Sequence, residues 1–244
     1  MVTDIHCHVI PGVDDGARDL RESLRMLEKE AAEGIRAVVA TPHFNEQTSI
    51  AALERYRNSW DRLQELLYKR RLPVLLYPGN EIFYTENVLR SLERGLAMGM
   101  NDTRYLLVEF SPYTDFQSMR MAVQQMAYEG YWPILAHMER YQCLEKEERV
   151  QEIISLGAYL QVNTGSVTGE MGWKVRRRLL NYIRKDWIHF LGTDAHGITR
   201  RPPEMAECLR YIERKAGRMR QVMLSEKNPE KMLRGERIRG NNTN

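Results

Sequence analysis

The chain has 244 residues, of which 43% are hydrophobic and 28% charged, as in an ordinary globular protein. Its 36 basic residues nearly balance its 33 acidic ones, and the net charge of +3 argues against a protein that binds nucleic acid. The N-terminus lacks a signal-peptide pattern, and no apolar run approaches the roughly 18 residues of a membrane helix. The three cysteines have no CxxC spacing. We therefore expect a cytoplasmic protein without membrane insertion.

Short apolar runs alternate with longer amphipathic stretches along the chain. The predicted strands cover 2–9, 35–41, 73–79, 105–110, 132–137, 158–164 and 187–193. Leu20, Leu24 and Leu27 are spaced for one face of a helix after the first strand. Leu63, Leu66 and Leu67, the stretches 115–128 and 145–156, and a short final helix over 228–234 continue the pattern.

Repeated strand–helix units indicate an α/β fold with a parallel sheet and right-handed crossovers. A barrel and a doubly wound open sheet both fit seven such units. The first strand is not followed by a GxGxxG turn, which weakens the nucleotide-binding open sheet. We therefore predict a (β/α) barrel that forms a single domain over residues 1–234, followed by a disordered tail over 235–244.

Ionisable side chains occur at or just beyond the C-terminal ends of these strands, and such strand ends open onto one face of a parallel barrel. The candidates are His6, His8, His43, Glu81, Glu109, His137, Asp194 and His196. His6 and His8 are two residues apart and point the same way, whereas Cys7 between them points into the core. His189 lies inside its strand and is predicted to be structural.

Imidazoles mixed with carboxylates suit Zn, Mn or Fe better than Ca or Mg. One tetrahedral ion needs only four ligands. The larger set indicates two or three metal ions, with a carboxylate such as Glu81 bridging them. Glu109 could instead cap the next helix. The loop after the first strand adds Asp14 and Asp15, which could cap the following helix or reach the metals, and the sequence leaves that choice open.

Two arginines follow the predicted ligands closely. Arg140 comes three residues after His137, and Arg201 comes five residues after His196. Arginine binds phosphate with two parallel hydrogen bonds and keeps its charge, so both are candidates for holding a phosphoryl group. The alternative is a surface ion pair for each, because Glu139 and Glu204 are close in the sequence.

Together these motifs resemble the PHP family of polymerase and histidinol phosphatase domains. The similar segments are His6-Cys7-His8, Val13-Asp14-Asp15-Gly16, Thr41-Pro42-His43, Gly79-Asn80-Glu81, Glu109, His137-Met138-Glu139-Arg140 and Asp194-Ala195-His196. Within that family the chain looks most like the bacterial protein-tyrosine phosphatases encoded with capsule and exopolysaccharide genes, because it also has the segment ATPHF and the arginines and prolines at 200–203.

This resemblance implies a distorted TIM-like barrel of seven βα units, the PHP fold, with a trinuclear metal site that is usually filled with manganese. The implied ligands are His6, His8, Asp15, His43, Glu81, Glu109, His137, Asp194 and His196. Arg140 and Arg201 are implied to hold the phosphate. The implied substrate is phosphotyrosine in the tail of a tyrosine autokinase that controls capsular and extracellular polysaccharide synthesis.

Three other functions are weighed against this one. A PHP-type phosphatase for a small molecule such as histidinol phosphate would use the same ligands. An amidohydrolase-type deaminase also begins with HxH, but the two arginines favour a phosphate substrate over the substrates of that class. An inactive, metal-stabilised binding module would have lost ligands, and every ligand position is filled here. Aromatic residues after the strands could line a phosphotyrosine pocket or lie in the core, namely Phe44, Phe83, Tyr84, Tyr113 and Tyr141.

Overall fold

The structure, a computed structural model, describes residues 1–238. Within them the strands are β1 (Thr3–Cys7), β2 (Ala37–Ala40), β3 (His43–Phe44), β4 (Leu75–Pro78), β5 (Glu81–Phe83), β6 (Tyr105–Glu109), β7 (Trp132–Leu135), β8 (Tyr159–Asn163) and β9 (Phe190–Gly192). All the strand pairs are parallel, in the orders β1-β2-β4 and β3-β5-β6-β7-β8-β9.

Helices α1 to α7 lie between strands, and α8 to α10 follow β9. They are α1 (Leu20–Ala32), α2 (Ile50–Arg70), α3 (Val88–Glu93), α4 (Phe116–Tyr128), α5 (Glu147–Ser155), α6 (Thr164–Thr168), α7 (Trp173–Arg184), α8 (Ala206–Ala216), α9 (Arg218–Val222) and α10 (Asn228–Leu233). Asp19, Ser49 and Asp115 cap α1, α2 and α4, because each side chain accepts a backbone N–H of the first turn.

Two short strands that were not predicted follow the second and third predicted strands. The second, 35–41, corresponds to β2, and β3 begins beyond Pro42, which has no N–H to donate to a neighbouring strand. The third, 73–79, corresponds to β4, and β5 begins beyond Asn80, whose side-chain amide donates to the Pro42 carbonyl at 3.2 Å and accepts Met98 N–H at 3.0 Å. Each pair, β2 with β3 and β4 with β5, occupies one position in the sheet.

The two edges of the curved sheet meet between β1 and the segment after β9. Cys7 and Ala195 form a parallel bridge. Asp194 N–H donates to the His6 carbonyl at 2.7 Å, and His8 N–H donates to the Ala195 carbonyl at 2.9 Å. The predicted TIM-like barrel of seven βα units is confirmed, and the doubly wound open sheet is excluded.

The core has two layers. One lies inside the barrel and includes Ile5, Tyr105, Leu107, Ile134 and Phe190. The larger layer lies between the strands and the surrounding helices and includes Cys7, which is fully buried as predicted. A register shift in β1 between Asp4 and Cys7 lets Ile5 face the inner layer while the histidines of the same strand reach the site.

The beginning of the predicted disordered tail is packed instead. Tyr105 Oη donates to the Glu236 carbonyl at 2.9 Å and accepts Ile238 N–H at 3.0 Å. Tyr159 Oη donates to the Ile238 carbonyl at 2.8 Å, and the Ile238 side chain is only 5% exposed. The prediction of disorder is therefore wrong for 236–238, since polar tyrosine hydroxyls inside the barrel need partners that the sequence pattern did not identify. Residues 239–244 lie outside the described part of the chain.

Among residues 1–238, no helix is both long enough and apolar enough to cross a membrane.

Candidate metal centre

The C-terminal ends of the strands gather the predicted ligands into one cluster at the barrel mouth. In its innermost group the Nε2 atoms of His6 and His8 lie 3.1 and 3.2 Å from Glu81 Oε2. Both nitrogens lie 3.5 Å from Asp194 Oδ1. These four side chains are nearly inaccessible to solvent and offer their ligand atoms to one point.

Two further groups share members with the first. His8, Asp15, His43 and His196 form one of them, with Asp15 Oδ1 placed 3.4 Å from the Nε2 atoms of both His43 and His196. His43, Glu81 and Glu109 form the other.

His137 completes the cluster beside that last group. Its Nε2 lies 2.8 Å from Glu81 Oε1 and 3.4 Å from Glu109 Oε1. All nine predicted ligands therefore lie together, and the overlap of the groups suits more than one cation.

The surroundings of Glu81 indicate whether cations fit this cluster. Its Oε2 is buried and has no hydrogen-bond donor, yet it lies within 3.2 Å of nitrogens of His6, His8 and His43. Lone pairs on the imidazole nitrogens and on this oxygen would repel one another, so either ring N–H groups or bound metal ions must lie between them. Oxygen and nitrogen donors of this kind suit a transition metal.

The loop after β1 places its two aspartates differently. Asp14 Oδ2 lies 2.7 Å from His8 Nδ1 and accepts His43 N–H at 3.1 Å, so it braces two candidate ligands from behind. Asp15 reaches the cluster itself, and its side chain is 68% exposed at the mouth. Neither aspartate caps the following helix, because Asp19 does so.

A polar network that the sequence analysis missed supports the cluster from β8. Gln161 Oε1 accepts His137 N–H at 2.7 Å and lies 3.3 Å from His6 Nδ1. Gln161 Nε2 donates to Asn163, which in turn donates to Asp194 Oδ2 at 2.8 Å. The sequence contains one indication of this network: Gln161 and Asn163 are polar, lie two residues apart in an otherwise apolar strand, and so point to the same side.

Arg140 and Arg201 converge on the outer side of the cluster. Arg140 Nη2 lies 2.9 Å from Asp194 Oδ2, and Arg201 forms an ion pair with the same carboxylate. Arg201 Nη1 also lies 3.2 Å from His196 Nε2. Neither arginine forms the surface pair with Glu139 or Glu204 that was the alternative; Glu139 is buried and its Oε1 accepts Asn163 N–H.

Three residues of the site have a left-handed backbone conformation. The φ angles are 33° at His137, 54° at Asp194 and 54° at Arg201. Residues with a Cβ rarely adopt positive φ, and such strain concentrates where side-chain placement matters most. At all three positions the chain leaves a strand end or a tight turn and aims a functional group at the same mouth.

The electrostatics of the cluster favour ionised carboxylates. Burial alone would raise the pKa of Asp194, but the charge of His6 and a hydrogen bond from His8 hold it well below its usual range. Burial, together with the charges of His8 and Arg201, lowers the pKa of His196 to about 4, so that ring is neutral at pH 7. A neutral imidazole is the form that binds a metal ion.

Cysteine chemistry has no place in this site. Cys7, Cys143 and Cys208 are all buried free thiols. Burial raises the pKa of each thiol, so none is a ready thiolate nucleophile at neutral pH. His189 is likewise structural, as predicted: its Nδ1 accepts Leu160 N–H at 3.1 Å, and burial lowers its pKa to about 4.

Asp4 precedes the histidine pair but does not belong to their cluster. Its carboxylate accepts His6 N–H at 3.1 Å and Thr193 N–H at 2.9 Å, and so joins β1 to the chain after β9. Its other neighbours are Cys7 and the buried Glu30 of α1.

A cavity of about 560 Å³ opens from the arginines along the outside of the cluster. One wall is the chain from Asn163 to Met171, and the other is the chain from Arg201 to Cys208. Thr164 Oγ1 donates to the Glu204 carbonyl at 2.7 Å and holds the two walls together.

The aromatic residues proposed as pocket walls differ in exposure and fall into three groups. Phe44 is 4% and Tyr141 1% exposed, so both are core residues. Tyr84 is partly covered and stacks on Phe110 with ring centres 5.0 Å apart. Phe83 and Tyr113 are 41% and 80% exposed near the mouth and are the two that remain free to meet a ligand.

Comparison with known proteins gives one consistent answer. A family model described as capsular polysaccharide synthesis, CpsB/CapC, matches residues 2–234. Over 96% of its length the chain is 32% identical to the tyrosine-protein phosphatase YwqE of Bacillus subtilis (strain 168) and 30% identical to the tyrosine-protein phosphatase CpsB of Streptococcus pneumoniae. These alignments cover 92% and 99% of the two relatives.

Solved structures agree. A crystal structure from a study of YwqE and CpsB, described there as unique metal-dependent tyrosine phosphatases, superposes with a TM-score of 0.88 at 32% identity, over 97% of this chain and 96% of that one. The phosphotriesterase from Mycobacterium tuberculosis matches with a TM-score of 0.60 at 12% identity, over 95% of this chain and 93% of that one, and so shares the fold alone.

Proposed function

The chain belongs to the CpsB/CapC family of capsular polysaccharide synthesis proteins, and from that premise we propose that it is a metal-dependent protein-tyrosine phosphatase. The observation that carries the proposal is Glu81 Oε2, a buried carboxylate oxygen without a hydrogen-bond donor among three imidazole nitrogens. A site whose buried carboxylates need cations to balance their negative charge, next to two arginines, suits hydrolysis of a phosphate monoester.

The residues divide the work between holding metal and holding phosphate. His6, His8, Glu81 and Asp194 would hold one ion. Asp15, His43 and His196 would hold a second, and Glu81, Glu109 and His137 a third. When bound, such ions activate water for attack and neutralise charge on the phosphoryl group. We propose manganese, with iron or zinc as alternatives that the donor set also permits.

The arginines would bind the phosphoryl oxygens. Both guanidinium groups already point at Asp194 Oδ2, so they converge where an anion is favoured. Charge spreads over the equatorial oxygens of the transferring phosphoryl group, and preorganised cations stabilise it there. The leaving phenolate of tyrosine is a weaker base than the alkoxide of serine and needs less help from an acid.

The family and the relatives support a proposal for the biological setting. We propose a single catalytic domain that acts in the cytoplasm on phosphotyrosine in the tail of a tyrosine autokinase, and so regulates capsular or extracellular polysaccharide synthesis. The names of the relatives support the chemical class of the substrate. The open cavity beside the arginines supports a substrate that continues beyond the phosphorylated side chain.

The test compares kcat/KM for matched phosphotyrosine and phosphoserine peptides and for histidinol phosphate, before and after treatment with a chelator. We expect a clear preference for phosphotyrosine, loss of activity with the chelator and recovery with manganese. Equal rates for the two peptides would contradict tyrosine specificity, and preference for histidinol phosphate would identify a small-molecule phosphatase. Full activity in metal-free protein would contradict the metal mechanism. His6→Ala is the inactive control.

A further inference from the structure

We propose that the cavity beside the arginines binds the substrate residues that flank the phosphotyrosine, and that Glu170 and Glu207 make it select segments with lysine or arginine there. The proposal rests on the proposed function and adds a sequence preference to it. The charges lining one cavity support it: Arg140 and Arg201 are half-buried, whereas Glu170 and Glu207 are exposed.

The size and lining of the cavity suit a peptide. A volume of about 560 Å³ is in the range that holds drug-sized ligands, which exceeds what a phosphate group alone requires. Pro112, Met171 and Pro202 provide apolar contact surface, and the Met171 side chain is 43% exposed. A phosphate held by the arginines would therefore leave room for neighbouring residues of the same segment.

Glu170 and Glu207 face this space from opposite walls. Glu170 follows α6, and its Oε2 lies so close to Gly165 that a Cβ there would come within 2.1 Å of it. Its carboxylate is thus folded back over the wall at Gly165, while the residue itself is exposed to solvent. Glu207 lies in the first turn of α8, on the other wall.

These two carboxylates lack cations of their own. In the described part of the chain neither is in an ion pair, whereas Glu204 on the same rim lies 3.3 Å from Lys29 Nζ. Other exposed glutamates are paired too, as Glu65 is with Lys69. A phosphotyrosine segment with a nearby lysine would place its phosphate on the arginines and its ammonium group on the glutamates, so its charges complement both ends of the cavity.

The experiment uses three phosphotyrosine peptides that differ only in the residues flanking the phosphotyrosine, which are lysine, serine or glutamate. We expect kcat/KM to decrease from the lysine to the serine to the glutamate peptide, by about two- to five-fold for each exposed charge pair. The ratios should shrink at high salt, because screening weakens exposed pairs. In Glu170→Gln/Glu207→Gln the three peptides should become equal within about two-fold.

The matched control is Glu213→Gln, an equal change of charge on the exposed side of α8 that should keep the wild-type ratios. Comparing peptides within each variant cancels any change in overall turnover. Equal treatment of the peptides by the wild type, or ratios that survive in the double variant, would overturn the proposal.

A second measurement separates this proposal from the proposed function. Binding of peptides that carry a non-hydrolysable phosphonate in place of the phosphate is followed by fluorescence anisotropy. The lysine peptide binding most tightly without any phosphotyrosine turnover would leave the cavity assignment standing and contradict the phosphatase. Turnover of all three peptides at one rate, with equal binding, would support the phosphatase and contradict the cavity assignment.

Discussion

Asp14 Oδ2 and His8 Nδ1 lie 2.7 Å apart, which turns His8 Nε2 toward Glu81 and Asp194 at the centre of the site. A carboxylate behind a ligating histidine fixes the orientation of the ring and raises its basicity. The adjacent Asp15 instead faces His43 and His196 at the mouth. Two neighbouring aspartates thus have separate roles, one behind a ligand and one beside it.

Asp14→Asn is expected to lower metal affinity or activity by about 10- to 100-fold, as loss of such a supporting carboxylate usually does. Asp15→Asn should reduce the metal content at the outer group while the inner group remains. Metal analysis of the purified variants, together with kcat/KM for p-nitrophenyl phosphate, measures both effects. Asp19→Asn is the control, because asparagine caps a helix as well as aspartate does. Wild-type metal content in Asp14→Asn would argue against the supporting role.

Arg140→Ala and Arg201→Ala are each expected to reduce kcat by about 10²- to 10³-fold, the usual cost of removing one donor to a transition-state oxyanion. Lysine should restore only part of the activity, since the planar fork of the guanidinium is lost. Steady-state kinetics of the four variants gives the comparison. Arg177→Ala, an exposed change on α7, should leave kcat near the wild-type value. Nearly normal turnover in these variants would show that Arg140 and Arg201 only neutralise the negative charge of Asp194.

Cys143→Ser and Cys208→Ser are expected to retain most of the wild-type kcat. Each thiol is buried with a raised pKa, so neither supplies the nucleophile. The measurement is turnover of a phosphotyrosine peptide, with an iodoacetamide-treated wild-type sample alongside. An inactive Cys143→Ser that still folds, as judged by circular dichroism, would require a cysteinyl-phosphate intermediate instead.

His189 is expected to make the fold sensitive to acid. Its pKa is lowered to about 4 by burial, whereas the unfolded chain titrates near 6.5. Between those values the unfolded chain binds a proton that the folded chain does not. The free energy of unfolding therefore falls as the pH falls through this window, by at most about 3 kcal/mol from this residue.

His189→Asn should flatten that dependence, because its side-chain oxygen can still accept Leu160 N–H without titrating. Urea unfolding of both proteins at several pH values between 4.5 and 7.5 gives the slopes. The comparison uses slopes rather than absolute stabilities, because the smaller side chain leaves a cavity. Parallel slopes would show that His189 does not contribute to the acid sensitivity.

Much of the barrel and of the site was predictable from the sequence, because each ligand follows a buried apolar run and parallel strands bring such ends together. His6, His43 and His137 come from three different strands and were all placed correctly at one mouth. The short strands β3 and β5 beyond Pro42 and Asn80 were not predicted, since two or three residues are too few to show a strand periodicity. Gln161 was missed because its role depends on contacts with His6 and His137, distant in sequence.

The segment 236–238 has a practical consequence for where the protein can be cut. A fragment that stopped at residue 234, the limit of the family match, would remove the carbonyl groups that accept the hydroxyls of Tyr105 and Tyr159. It would also uncover the end of the barrel that Ile238 closes, opposite the active mouth. The truncation would therefore lose these hydrogen bonds, worth about 0.5–1.5 kcal/mol each, and expose apolar surface to water. Expression fragments should therefore extend through Ile238, with any fused tag placed after it.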